Sequence, residues 1–408
     1  MPTLLQINVT ANSGSHGKIA EEIGVLAMSR GWRSVIAYGR WANPSKSELI
    51  RIGSDVGVKE HAIESRLLDN HGLASRKDTR DLVQKIKEIK PDIIHLHNIH
   101  GYYLNYRILF EYLNKTNIPV VWTFHDCWPF TGHCAHFVTA KCEKWREGCF
   151  NCPLLKDYPK SFSDHSKKNY QIKKEVFTAN NNLHIVAVSD WLAGLVRQSF
   201  FKDKDIRVIK NGVNLDIFKP SFFEGGVKNR IIGVSNVWTK DKGLQDFYSL
   251  RERLNQDAYE IILVGLNVEQ IKSLPQGIKG IEHTESLSEL VTLYSSASVL
   301  VNPTYADTFP TINLEALACG TPVITYRTGG SPEAVDKTTG IVVEQGNLEE
   351  LTEAITEICR KDRDSISKAC RMRAVQEFNK NDKYNGYLSV YQQVMGGVDY
   401  SCSSYSVD

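Results

Sequence analysis

Two acidic residues in the second half of the chain, Asp307 and Glu315, stand on either side of a predicted helix start near Thr311. The first N–H groups of a helix have no partner inside the helix, so together with the helix dipole they form a site for an anion. A diphosphate can lie on the backbone around Phe309, Thr311 and Ile312. Glu315 can then accept both hydroxyls of a ribose diol, and Asp307 can accept hydroxyls of a sugar. The pattern predicts a site for a diphosphate that carries two sugars.

Positive charge for such a diphosphate is present upstream, in the segment Gly233–Leu244. Lys242 precedes a glycine at a predicted helix start, Lys240 supplies a second cation, and Asn236 lies nearby. Two cations over a leaving diphosphate would stabilise the charge that grows in the transition state. Without the acidic pair, a solvated lysine run would be the better interpretation.

Three loops in the first half end predicted strands and carry polar groups. His125 follows Val120–Phe124, where catalytic groups gather in a parallel sheet. His97, Asn98 and His100 follow another strand, and we expect them to line an acceptor site, although the three histidines His95, His97 and His100 could also hold a metal. The loop around Gly17 follows the first strand and lets the backbone approach a ligand closely. Its spacing is not the dinucleotide fingerprint, so a nicotinamide site is disfavoured.

The run YADTFPTINLEALACGTPVITYRTGG, Tyr305–Gly330, resembles glycosyltransferase family 4, whose signature is Glu-x7-Glu, a small-residue run and Gly-x-Pro-Val. Here the match is Asp307-x7-Glu315 followed by Gly320–Val323. Aspartate replaces the first glutamate, and Pro310 stands where the family usually has glycine. Both differences bear on the identity of the sugar more than on the reaction. Members active in exopolysaccharide or capsule assembly, of the colanic-acid type, are also similar around His125.

This resemblance implies an α/β fold of the GT-B type, with two doubly wound Rossmann-like domains facing a central cleft. It implies a retaining glycosyltransferase that uses a nucleotide-diphosphate sugar and a glycan or lipid-linked acceptor. Lys242 matches the family lysine, whereas the family arginine is absent near Asn236. His125 corresponds to the histidine at the reacting centre, so we assign His125, Asp307 and Lys242 to catalysis. The alternatives are a sugar-nucleotide epimerase and a non-catalytic sugar-nucleotide-binding partner.

Four cysteines, Cys134, Cys142, Cys149 and Cys152, crowd into one segment that ends in a C-x-x-C pair. Tetrahedral zinc on four thiolates would stabilise a segment that has no core of its own. His133 or His136 could replace one ligand, iron–sulfur is a weaker alternative, and four reduced thiols need no metal at all. The family resemblance implies that the chemistry itself needs no divalent cation.

Composition sets the limits on partners and on the number of domains. A length of 408 residues predicts two domains, and a net charge of +2 is too small for a nucleic-acid-binding protein. No signal peptide or membrane-spanning run is evident, so we expect a cytoplasmic protein. A strip of lysines and aromatic residues over 156–174 could contact an anionic membrane, or could be a solvated surface.

We predict an acceptor domain over 1–212, a linker over 213–229, a donor domain over 230–380 and a C-terminal helix with a frayed tail over 381–408.

Short apolar runs alternate with amphipathic stretches throughout, which predicts parallel sheets covered by helices. The alternation stops in a cysteine-rich insertion over 129–174. Predicted strands are Leu4–Val9, Ser34–Tyr38, Asp92–Leu96, Val120–Phe124, His184–Val188, Arg207–Ile209, Arg230–Val234, Glu260–Val264, Val299–Asn302, Val323–Thr325 and Ile341–Val343.

Overall fold

The computed structural model describes residues 1–222 and 229–396. The chain forms two compact units. The first comprises residues Met1–Ile209 together with the chain from Tyr384 onward, and the second comprises Lys210–Lys383. Each unit is built on one fully parallel sheet.

The first unit has a seven-stranded sheet whose five inner strands are largely buried, as expected where helices cover a parallel sheet. Its strands are β1 Thr3–Ala11, β2 Arg33–Ala42, β3 Glu48–Arg51, β4 Ile93–Leu96, β5 Val120–Phe124, β6 Leu183–Ala187 and β7 Asp205–Val208. Its first six helices are α1 Gly14–Ser29, α2 Asp55–Leu68, α3 Arg76–Ile89, α4 Tyr106–Leu113, α5 Ser166–Thr178 and α6 Asp190–Val196. The strand order is β3-β2-β1-β4-β5-β6-β7.

The second unit repeats this plan with six strands in the order β10-β9-β8-β11-β12-β13. The strands are β8 Asn229–Val234, β9 Tyr259–Val264, β10 Ile278–Ile281, β11 Val299–Asn302, β12 Val323–Tyr326 and β13 Gly340–Val343. The helices are α7 Leu244–Arg253, α8 Val268–Lys272, α9 Leu287–Ser296, α10 Thr311–Ala318, α11 Leu348–Arg360 and α12 Arg363–Glu377.

The last described helix, α13 Lys380–Val394, runs from the second unit into the first. Tyr384, Tyr387 and Tyr391 are buried in a core cluster that also holds Leu4 and Ile93 of the first sheet. The aromatic face read from the sequence is therefore part of the core of the first unit. The frayed tail that we predicted falls mostly on residues 397–408, which lie outside the described residues.

The strand order reverses once in each sheet, between β1 and β4 and between β8 and β11. Ligands of doubly wound sheets bind beyond the carboxyl ends of the strands at such a reversal. Gly17, which the sequence placed in a loop, lies in the first turn of α1 directly after β1. His97 follows β4, and the loops after β8 and β11 carry Lys242 and Asp307. The fold therefore brings the predicted functional loops of each unit to one edge of its sheet.

The predicted set of strands and two predicted boundaries need correction. Strands β3 and β10 were missed. Helix α5 begins at Ser166, inside the predicted insertion, where residues 131–165 form no strand and only short 3-10 turns. Val213, the first residue of the predicted linker, is buried and pairs with Asn379, and Arg371 donates to the carbonyl of Leu215. These residues belong to the second unit, whereas residues 223–228 lie outside the description.

Candidate active site

Lys242 and Asp307 form an ion pair, with Nζ and Oδ2 2.7 Å apart. The two residues come from the loops after β8 and β11, which flank the strand reversal of the second sheet. Their side chains are 32% and 20% exposed, so a ligand can reach both. The structure thus brings together the cation and the first carboxylate that the sequence assigned to one site.

Backbone contacts fix these two loops against each other. The N–H of Tyr305 donates to the carbonyl of Asp241 at 2.7 Å, and the hydroxyl of Thr304 donates to the same oxygen. Gly243 has φ of +73°, and a Cβ there would lie 2.2 Å from the carbonyl oxygen of Pro303. The close approach that holds Lys242 beside the β11 loop therefore requires glycine at this position.

Gly329 holds Asp307 in place by a similarly close backbone contact. Its φ is +55°, and a Cβ on it would lie 1.8 Å from the backbone oxygen of Asp307. The glycine backbone is packed directly against the carbonyl of the acidic residue. The position of Asp307 is therefore set from one side by Lys242 and from the other by Gly329.

Helix α10 begins directly after this loop, with Pro310 at its N-cap. Proline has no N–H, and the N–H of Asn313 donates to the Pro310 carbonyl at 3.3 Å. The N–H groups of Thr311 and Ile312 belong to the first turn, which has no preceding turn to accept from them. Both residues are half-buried. The predicted anion site is thus at the start of a regular helix, beside Asp307.

The side chain of Phe309 is buried and contacts Phe378, with the ring centroids 6.0 Å apart. Its carbonyl accepts a hydrogen bond from the Asn211 amide at 3.1 Å. Phe309 therefore anchors the loop ahead of α10 to the core. Asn236 and Lys240 are exposed on the loop after β8.

Glu315 lies one turn inside α10 and is half-buried. The hydroxyl of Tyr294 on α9 donates to its Oε2 at 3.0 Å. Burial, followed by the charge of Glu315, raises the pKa of Tyr294 well above its usual value, so the phenol remains a donor. Tyr294 orients the carboxylate that we assigned to the ribose, and no pattern in the sequence indicated this role.

In the first unit, the loop after β1 turns sharply before α1. The N–H of Asn12 donates to the carbonyl of Gly17 at 3.2 Å, and Asn12 itself has φ of 47°. A Cβ on Gly17 would lie 2.6 Å from the Thr10 hydroxyl. Gly17 is therefore required by the packing of the loop, apart from any ligand contact.

His97 and His125 end neighbouring strands, and His97 Nδ1 lies 3.1 Å from His125 Nε2. The second nitrogen of His97, Nε2, lies 3.1 Å from Oε1 of Gln6 on β1. Burial, followed by the neighbouring histidines, lowers the pKa of both rings well below the usual value. Both imidazoles are therefore neutral near pH 7.

His16, on the first turn of α1, lies beside this pair, with its ring centroid 5.9 Å from that of His125. Its Nδ1 is 3.1 Å from Nδ2 of Asn8, whose Oδ1 accepts from the N–H of Asn98 at 3.3 Å. Burial lowers the pKa of His16 to about 4. Asn98 of the predicted acceptor side is thus connected to the histidine cluster through Asn8.

His100 does not contact this histidine cluster through its ring nitrogens; it contacts Asp126 and Tyr158. Its Nε2 lies 2.8 Å from Asp126 Oδ2, and its Nδ1 lies 3.0 Å from the hydroxyl of Tyr158. Burial alone would raise the pKa of Asp126, but His100 and the N–H of Trp128 outweigh it and lower that pKa below its usual range. This pair fixes the backbone that follows His125.

The four clustered cysteines line one small cavity together with His133. The Cys134 thiol hydrogen-bonds to the sulfur of Cys152, which lowers the pKa of Cys152, and the N–H of Gly132 donates to the sulfur of Cys149 at 3.1 Å. In the part of the chain that the structure describes, no three His, Cys, Asp or Glu side chains are arranged to hold a metal ion. The thiols as they lie do not fit a zinc site, so structural zinc stays a prediction that elemental analysis can test.

Lys173, which the sequence placed on a surface strip, is buried, as is Tyr170. The Lys173 ammonium donates to the carbonyls of Trp128 at 2.7 Å and Thr131 at 3.0 Å. It therefore ties α5 to the segment after His125. Burial lowers the pKa of Lys173 to about 7. Interactions with the acidic groups of Cys149, Cys134, Asp126 and Asp69 act in the opposite direction and raise it.

This buried lysine makes stability depend on pH. Above pH 7 the folded protein loses the Lys173 proton while the unfolded chain retains it, so the free energy of unfolding should rise with pH. Between pH 7 and 9 the expected gain is roughly 2 kcal/mol. Cysteine thiols titrate in the same window. The lowered pKa of Cys152 adds to the rise and the raised pKa of Cys149 opposes it, so the contribution of Lys173 has to be measured as a difference between variants.

Urea unfolding at pH 7 and pH 9 measures this gain, with Lys173→Met compared against Lys174→Met on the exposed side of the same helix. Lys174→Met should gain roughly 2 kcal/mol more than Lys173→Met between the two pH values, because both variants keep the cysteine contributions. An equal rise in both variants would contradict the assignment to Lys173.

The polar residues that the sequence analysis missed share one visible feature. Gln6, Asn8 and Thr10 alternate along β1, a strand whose residues are all buried. Polar side chains at every second position of a buried strand have to be hydrogen-bonded, which is a sign of a polar site.

Two family profiles match the chain in succession. Residues 20–217 match Glycosyltransferase Family 4, and residues 228–361 match Glycosyl transferases group 1. The two matches together cover most of both units.

Two relatives span different shares of the chain. WcaC of Escherichia coli K12, named for colanic acid biosynthesis, is 24% identical over 96% of this chain and 100% of its own length. A Campylobacter jejuni enzyme, N,N'-diacetylbacillosaminyl-diphospho-undecaprenol alpha-1,3-N-acetylgalactosaminyltransferase, is 26% identical over 52% of this chain and 61% of its own length.

Solved structures share the fold. Sucrose-phosphate synthase from Thermosynechococcus elongatus superimposes with a TM-score of 0.72 at 16% identity, covering 97% of this chain and 99% of that one. Anabaena HepE in complex with UDP gives a TM-score of 0.63 at 15% identity, over 96% and 100% of the two chains. With two family profiles, a full-length relative and this fold in agreement, the chain belongs to the GT-B glycosyltransferases with a family 4 first domain and a group 1 second domain.

Proposed function

We propose that the protein moves a sugar from a nucleotide-diphosphate donor to a glycan or lipid-linked acceptor, with retention of anomeric configuration. We place this reaction in cell-surface polysaccharide synthesis, at the cytoplasmic face of the membrane. The observation that carries the proposal is the Lys242–Asp307 ion pair beside the start of α10. A cation, a helix N-terminus and two carboxylates are what a diphosphate with sugars at both ends requires.

The donor would be held by the second unit. Its diphosphate would lie at the start of α10, where it also attracts Lys242, and Asp307 would then be released to accept hydroxyls of the sugar. Glu315, oriented by Tyr294, would accept the ribose diol. HepE, which shares the fold, was crystallised with UDP and with UDP-glucose, which supports a nucleotide-sugar donor.

In the reaction we propose, the bond between the anomeric carbon and the diphosphate oxygen breaks, and the acceptor oxygen forms its bond on the same face. The proton of the acceptor hydroxyl passes to the leaving phosphate oxygen. Lys242 and the N-terminus of α10 stabilise the negative charge that develops on the diphosphate. His125, which is neutral, contributes as a hydrogen-bonding group.

Several large apolar side chains on the first unit are consistent with a lipid-linked acceptor. Val56, Ile63 and Leu67 form one exposed stripe along α2, and Phe162 is 76% exposed near Arg66 of the same helix. Apolar side chains flanked by cations suit an anionic membrane surface. No helix within residues 1–222 and 229–396 has the length and apolar character needed to cross a bilayer. The name of the Campylobacter relative describes an acceptor linked to undecaprenol through diphosphate.

The test begins with UDP-, GDP- and ADP-sugars and measures the thermal shift of the purified protein. At a ligand concentration of 100 Kd, the true donor stabilises the fold by about 2.7 kcal/mol. That donor, radiolabelled, is then incubated with polyprenyl-diphosphate-linked glycans in vesicles with and without anionic lipid. We expect one nucleotide class to bind, and the label to enter the lipid-linked fraction with the anomeric configuration of the donor.

Other outcomes would overturn the proposal in distinguishable ways. An isomerised nucleotide sugar without transfer would indicate an epimerase. Tight nucleotide binding without any product from a broad acceptor panel would indicate a non-catalytic binding partner. A product of inverted configuration would contradict the retaining mechanism alone.

A further inference from the structure

A chain of four hydrogen-bonded groups in the first unit determines where the protons of two histidines lie. It runs from the carbonyl of Ala20 on α1 through Gln6 on β1 and His97 after β4 to His125 after β5. All of its members belong to one unit; Ala20, Gln6 and His97 are buried, and His125 is half-buried. Because each contact in the chain needs one donor and one acceptor, the first contact fixes all the others.

The first contact is unambiguous. A backbone carbonyl can only accept, so the Gln6 atom that lies 2.7 Å from the Ala20 oxygen has to be the amide nitrogen. The other end of the Gln6 amide is then its carbonyl oxygen, which faces His97 Nε2 at 3.1 Å. His97 therefore has its proton on Nε2.

The second step transfers this constraint to His125. His97 is buried and neutral, so a proton on Nε2 leaves a lone pair on its Nδ1. That nitrogen lies 3.1 Å from His125 Nε2, which must therefore donate a proton to it. His125 in turn is neutral and has its own lone pair on Nδ1.

We propose that Gln6 and His97 are positioning residues that hold His125 with its proton on Nε2 and its lone pair on Nδ1, so that the transferred sugar meets a neutral imidazole in one fixed tautomer. This inference rests on the proposed function, because it gives His125 a defined role in that reaction. It also excludes an imidazolium at this position, so His125 contributes no positive charge near the anomeric carbon.

The neighbouring groups agree with this assignment. Trp122 Nε1–H donates to the carbonyl of His97 at 2.9 Å, which fixes the backbone of that residue. The charged group nearest in sequence to His125, Asp126, is engaged by His100 and by the N–H of Trp128. His16, which lies beside His125, is itself neutral near pH 7, because burial lowers its pKa to about 4. None of these groups supplies a second proton to His97.

The experiment is long-range proton–nitrogen NMR of the full chain labelled with nitrogen-15 in histidine. Signals of His97 and His125 are assigned by their loss in His97→Asn and His125→Asn. We expect both rings to be singly protonated on Nε2 at pH 7. A proton on Nδ1 of His125, or two protons on His97, would overturn the proposal. This result does not depend on any enzymatic activity, so it fails separately from the proposed function.

Gln6→Met provides the second measurement. The variant removes the acceptor for His97, so both histidines should populate two tautomers, and kcat should fall by about ten-fold while the KM of the donor stays within about two-fold. Ser34→Ala, which removes a buried Ser34–Ser47 hydrogen bond on the adjacent strand, serves as the control with unchanged histidine signals. Unchanged tautomers in Gln6→Met would overturn the role of Gln6. If that variant does not fold, the spectrum of the unmodified protein decides the question.

Discussion

Lys242→Ala is expected to reduce the kcat of sugar transfer by roughly 100- to 1000-fold, because it removes the cation placed for the leaving diphosphate. The substitution also leaves Asp307, which is only 20% exposed, without its ion-pair partner. Unpaired, the carboxylate would repel the incoming diphosphate and weaken donor binding. Steady-state kinetics with the donor identified by thermal shift would measure both effects.

Two lysines serve as comparisons for this variant. Lys361 forms an exposed ion pair with Glu357 on α11, so Lys361→Ala removes a similar charge away from the site and should leave kcat unchanged. Lys240→Ala removes the exposed lysine on the same loop and should have a smaller effect than Lys242→Ala. Equal activity in Lys242→Ala and Lys361→Ala would contradict the donor site.

Gly329→Ala is expected to reduce transfer by roughly 100-fold while the protein remains folded. The new Cβ would lie 1.8 Å from the backbone oxygen of Asp307, so that loop has to move by about an ångström or more. A displacement of this size at reacting groups costs about two orders of magnitude in rate. Steady-state kinetics gives the loss, and circular dichroism confirms the fold.

Gly346→Ala is the matched control. Gly346 has φ of +76°, so alanine there suffers a comparable backbone penalty of roughly 1 kcal/mol. Its Cβ would come no closer than 3.4 Å to another atom, the Tyr305 hydroxyl. Its stability should fall slightly and its activity should persist. Similar losses of activity in the two variants would show that backbone strain, and not the position of Asp307, limits the reaction.

The central strands of both sheets were predictable because they are short, apolar and followed by helices. Strands β3 and β10, which were missed, lie at sheet edges, where one side of the strand has no neighbour; β7 and β13 lie at the other two edges and were predicted. Edge strands tolerate charge and glycine, as in ELIR at Glu48–Arg51 and IKGI at Ile278–Ile281. They therefore lack the apolar run that identified the others.

The candidate site was predictable where one short segment contains several of its parts. Asp307, Glu315 and the start of α10 could be found because their spacing relates them to one helix. Contacts between distant segments could not be found in this way. Tyr294 reaches Glu315 from another helix, and Gln6 reaches His97 from another strand. These residues become neighbours only in the tertiary fold, which spacing along the sequence does not reveal.

The first unit completes its core with a helix from the far end of the chain. Tyr384, Tyr387 and Tyr391 are buried beside Leu4 and Ile93, and the hydroxyl of Tyr391 lies 2.6 Å from His95 Nδ1. On the ribosome, the first unit therefore cannot complete its hydrophobic core until the entire second unit has been synthesised. A separately expressed fragment ending at Ile209 would expose apolar surface along β1 and β4, and a soluble version would need this terminal helix fused back to it.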